Sequence, residues 1–128
     1  MRSLLLTLSA ACMTFVPSAA HADDRFAHAQ PRHGGIVVSA QHLDWELVAR
    51  EGRAVLHVRD HATPVETAGA KGQLTVLPAG GEQAKVPLAA AAAGTLTAAG
   101  VPTAPGTRYV ASVVLPGRKP VQLRFALP

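Results

Sequence analysis

The sequence predicts an all-β protein, an antiparallel Ig-like β-sandwich of seven or eight short strands. Three observations carry this. Apolar and polar residues alternate with a period of two through much of residues 35–128, and turn chemistry recurs about every ten residues. The one run with helical propensity, Ala89–Ala93, is too short to stand as a helix before Gly94.

The chain opens with Met1-Arg2, an apolar run from Leu4 to Val16, Pro17 and then small residues, which is the layout of a secretory signal peptide over residues 1–22. The run is too short to span a bilayer. Ala20-His21-Ala22 is the expected cleavage site, leaving Asp23 first. Cleavage after Ala20 would instead leave His21 with a free α-amine beside its imidazole, a chelate suited to Cu(II) and the basis of a weaker copper-redox reading. Export to the periplasm follows, with no stable membrane insertion once the leader is removed. About one hundred residues remain, a single small domain. Residues 23–34 are polar and read as a mobile N-terminal arm, and residues 35–128 as the sandwich.

The only cysteine, Cys12, lies inside the leader, so disulfides, thiolate metal sites and thiol catalysis are all excluded from the mature domain. The net charge is +4, but the basic residues are scattered and not interleaved with aromatics, so no nucleic-acid partner is expected.

The strands follow in order. A strand begins after the Gly34-Gly35 pair, at Ile36-Val37-Val38. The next two form a hairpin over His42–His61 with its turn at Glu51-Gly52. Leu43, Trp45 and Leu47 alternate with His42, Asp44 and Glu46, and Ala54, Leu56 and Val58 alternate with Val55, His57 and Arg59. Keeping both apolar sets on one face pairs Ala49 with Ala54, Leu47 with Leu56 and Trp45 with Val58. The polar face then carries Glu46 opposite His57, Asp44 opposite Arg59 and His42 opposite His61. Cβ atoms so opposed are roughly 4.5–5.5 Å apart, close enough for two imidazoles to share a metal. Ala62-Thr63-Pro64 turns the chain. Gly72–Leu77 and Gln83–Leu88 read as a second hairpin around Pro78–Gly81, then Thr95–Ala98, Arg108–Leu115 and Val121–Leu127 as strands, with turns at Pro102–Gly106 and Pro116-Gly117.

Catalysis finds no footing: no H-E-x-x-H or G-x-S-x-G element is present, and no serine has an orienting acid. The chain is read as a non-enzyme. The chemistry that remains is imidazole with carboxylate, in His33, His42, Asp44, His57, Asp60 and His61, a donor set suited to Cu(II), Zn(II) or Ni(II). His33 enters the fold a few residues before His42, at the same end of the hairpin or the opposite one.

Residues 33–61 resemble the signature of small periplasmic proteins associated with heavy-metal efflux systems, and of a short N-terminal domain on some of their periplasmic adaptor subunits. The matching elements are His33-Gly34-Gly35, Asp44-Trp45-Glu46-Leu47-Val48 and Leu56–His61, with further agreement at Pro64-Val65, Thr67–Gly72, Val86-Pro87-Leu88 and Leu115–Pro120. His33, Asp44, Asp60 and His61 fall on that pattern, whereas His42 and His57 stand where an apolar or aromatic residue is expected. The resemblance implies a periplasmic role in metal resistance. The expected function is therefore binding of a divalent transition metal, with buffering or delivery to an efflux adaptor subunit. The alternative is a metal-free Ig-like interaction module docking on an adaptor or another envelope protein.

Overall fold

The structure is a computed structural model that describes residues 30–128; the expected leader and residues 23–29 of the expected arm lie outside the described residues. Nine antiparallel strands follow: β1 (Ile36–Ala40), β2 (Leu43–Arg50), β3 (Arg53–Asp60), β4 (Thr63–Pro64), β5 (Lys71–Leu77), β6 (Ala84–Ala90), β7 (Thr95–Ala99), β8 (Arg108–Val114) and β9 (Val121–Ala126). No helix occurs among the described residues. The all-β antiparallel expectation is met. The strand beyond the expected count is β4, two residues paired to the end of β3.

Pairing runs without a break in the order β1-β2-β3-β7-β6-β5-β8-β9. Two facing sheets were expected; hydrogen bonding instead continues from β3 to β7 and from β5 to β8. The result is one sheet coiled nearly closed, with β1 alongside β9. Strands β5 to β8 form a Greek key, spatial order β8-β5-β6-β7. Tyr109, buried near the start of β8, donates its hydroxyl to the carbonyl of Pro102 at 2.6 Å. This is the tyrosine-corner arrangement of Greek-key sandwiches, pinning the long connection from β7 to β8.

The alternating residues meet inside. Leu43, Trp45 and Leu47 from β2 pack with Leu56, Leu74, Leu96, Tyr109, Leu123 and their neighbours in one core. Trp45 is fully buried and donates its indole N–H to the Ala40 carbonyl at 3.1 Å. The helical propensity of Ala89–Ala93 loses to pairing, since Ala89 and Ala90 are ladder residues joining β6 to β7.

The hairpin register is the expected one: Asp44–Arg59, Trp45–Val58, Glu46–His57, Leu47–Leu56 and Ala49–Ala54 are opposed. Its two-residue turn has φ of 52° at Glu51 and 78° at Gly52, the type I′ signature that matches strand twist. The β1–β2 turn is built the same way by Gln41 and His42, at 53° and 62°.

Candidate functional site

The polar face of β2 and β3 is covered around Glu46 and Arg59, because residues 30–35 lie across it as a strap. Glu46 points outward from β2, opposite the core-facing Trp45 and Leu47, yet the strap leaves it fully buried. Its carboxylate accepts the backbone N–H of Arg32 at Oε1 and those of His33 and Gly35 at Oε2, each at 2.9 Å. The Arg59 guanidinium closes the set from β3, 3.2 Å from Oε1, and donates to the Gln30 carbonyl at 2.7 Å. Gln30–Gly34, expected within the arm, are therefore tied to the domain.

The glycine pair makes the strap possible. A Cβ on Gly35 would press into the Leu47 carbonyl, and Gly34 has a φ of 73°. Arg50 ties the same point from outside, donating to the His33 carbonyl at 2.9 Å. Burial alone would raise the Glu46 pKa. The N–H groups of Arg32, Gly35 and His33, with the His33 ring, outweigh it and hold the carboxyl at about 2.

An ionised carboxylate only accepts, so His33 Nδ1, 3.1 Å from Oε1, must carry the hydrogen. In the neutral ring Nε2 then holds the lone pair. This carboxylate–histidine relation is the one that orients histidines toward metals and raises their basicity. His33 is half exposed, at 48%. Its ring stacks on that of His57, with centroids 3.7 Å apart and planes 3° from parallel. Burial lowers the His57 pKa, charge on His33 and Arg59 adds to this, and Glu46 opposes it, so His57 is held toward its neutral, ligating form.

The six expected ligands do not form one cluster. His33 and His57 come together over Glu46. Asp44 accepts the Ser39 hydroxyl at 2.8 Å and faces Arg59, its Oδ2 4.0 Å from Nε. Asp60 and His61 pair with each other at 2.8 Å beyond the end of the hairpin ladder, where the His61 side chain is 95% exposed. His42 is exposed in the β1–β2 turn.

The expected His42–His61 cross-strand pair is not part of the ladder, whose last β2–β3 rung is Asp44–Arg59. Each histidine instead takes a positive φ in a different turn, His42 before β2 and His61 (54°) between β3 and β4. Asp44 and His61 share a shallow cleft with Arg32 and Arg59, whose charges disfavour a cation there. Among the described residues no group of three or more His, Cys, Asp or Glu is placed to hold a metal ion.

No family model, curated protein or solved structure matches the chain.

Sequence reasoning placed Glu46 opposite His57 but missed its role as the anchor of the strap, and with it the role of Arg59. His33-Gly34-Gly35 signalled that the backbone could approach a neighbour closely there, but not which neighbour.

Proposed function

We propose that this is an exported, non-enzymatic metal-handling protein of the periplasm. It takes up a divalent transition metal (Cu, Zn or Ni) at His33 and His57 and buffers or delivers it to a heavy-metal efflux system. One observation carries the reading: Glu46 fixes the His33 tautomer so that Nε2 carries the free lone pair, beside a second imidazole held toward neutrality. The resemblance of residues 33–61 to efflux-associated proteins and adaptor domains supplies the destination. Parallel stacked rings do not aim their in-plane lone pairs at one point, so His33 must swing out of the stack as the metal enters. Two imidazoles completed by water give a weak, exchangeable site, which suits a buffer or carrier. Asp44, Asp60, His42 and His61 are peripheral to it.

Calorimetric titration of the mature chain with Cu(II) and Zn(II) tests this. His33→Ala and His57→Ala should each weaken binding by at least about tenfold, while His61→Ala leaves it unchanged. Equal affinity in a His33→Ala/His57→Ala double variant and the parent would remove the site.

The second reading, a metal-free interaction module docking on an efflux adaptor, is favoured by the lack of a third ligand among the described residues. It predicts no saturable uptake of either metal at micromolar concentration and capture of a purified adaptor subunit that persists in chelator.

A further inference from the structure

We propose that the outer face of β6-β5-β8-β9 is a docking surface for bilayers carrying anionic phospholipid headgroups. The observations are independent of the histidine site. These four adjacent strands contain no aspartate or glutamate. Their core-facing residues alternate with outward ones, and the outward set includes Lys71, Lys85, Arg108 and Arg124, all exposed and none in an ion pair among the described residues.

The ladders place the cations. Lys85 and Arg124 end one row across the four strands, through Thr75 and Val110. Arg108 is opposite Leu77 at one end of β5, and Lys71 is opposite Val114 at the other. With strands about 4.8 Å apart and a rise of about 3.3 Å per residue, the cations cover roughly 14 by 20 Å. That spread cannot close on a small anion, but it fits an extended anionic surface.

Two further features favour a bilayer over an acidic protein. No aromatic side chain points outward from these strands, whereas protein interfaces are anchored by aromatic residues in pockets. Leu77 and Val114, 38% and 44% exposed, are the large apolar side chains left exposed among the described residues, and both lie on this face, at its two ends. An exposed apolar side chain with a basic one directly opposite it at each end of the face suits a headgroup layer, where Lys and Arg stems extend toward phosphates.

The test is sedimentation of the mature chain, starting at Asp23, with phosphatidylcholine vesicles with and without phosphatidylglycerol, at low and high salt. The expected result is binding that requires phosphatidylglycerol and is lost at high salt. Lys85→Gln and Arg124→Gln should each lower the partition coefficient about fivefold. Arg53→Gln makes the same change in net charge on β3, outside this face, and should leave partition unchanged. Equal losses in Arg53→Gln and Arg124→Gln, binding independent of phosphatidylglycerol, or no binding would each overturn the proposal. Neither metal titration nor the histidine variants enter this readout, so the two proposals fail separately.

Discussion

Glu46 is the residue on which the local structure turns. A carboxylate removed from water is tolerable only if nearly every lone pair finds a donor; here three backbone N–H groups, one imidazole and one guanidinium supply them. Glu46→Ala would take from the buried Arg59 its nearer carboxylate, leaving Asp44 at 4.0 Å and the Gln30 carbonyl, and would take from the strap its anchor. A loss of about 3–5 kcal/mol is expected in urea unfolding.

The same residue sets an acid limit. Its folded pKa is about 2 against an ordinary 4.5, so its contribution is complete above pH 4.5 and lost as pH falls toward 2. That depression is worth on the order of 3 kcal/mol. The lowered His57 pKa acts in the same direction and starts earlier, because stability is lost once pH falls below the ordinary imidazole value of about 6.5. Unfolding free energy measured against pH should decline in both windows, and Glu46→Gln should abolish the lower one while keeping the upper.

At the scale of elements, the β1–β2 turn places two non-glycine residues, Gln41 and His42, in the left-handed region. Replacing His42 by glycine removes one such strain and is expected to raise stability by about 1 kcal/mol, read as a higher thermal midpoint. It should leave metal affinity unchanged, since His42 lies outside the His33–His57 pair. Gly35→Ala should do the opposite, because its Cβ meets the β2 backbone; the strap would lift and His57 become more exposed, measurable by imidazole titration.

The hairpin was legible in the sequence because its alternation admits one register. The strap was not, because nothing in a polar segment with a proline and two glycines says which surface it crosses. His42 and His61 show the limit of extending a register beyond a strand: the pairing logic holds only while the backbone stays extended, and both residues are turns.

For the whole molecule, period-two alternation and turn spacing revealed the strands and the core but not the order of the sheet. Whether β7 returns to β3 depends on long crossovers with no local sequence mark. Tyr109 secures one of them, and Tyr109→Phe should cost about 1 kcal/mol in chemical denaturation, with little change in ligand binding. The charge distribution was hidden in the same way. Lys71 and Lys85 lie on one hairpin and Arg108 and Arg124 on another, and the two pairs meet only through the β5–β8 pairing. The histidine pair projects instead from the β2–β3 side, so docking through the basic face would leave the proposed metal site uncovered.

The central claim is that His33, its tautomer set by Glu46, and His57 are the ligands. The most direct measurement is the imidazole NMR spectrum of a chain of residues 23–128 during Zn(II) titration at neutral pH. The account predicts that His33 and His57 resonances shift together and saturate, with loss of their mutual ring-current shifts as the stack opens, while His42 and His61 stay in place. Saturable shifts at His61 without His33 and His57, or no saturable shift at any imidazole, would contradict it.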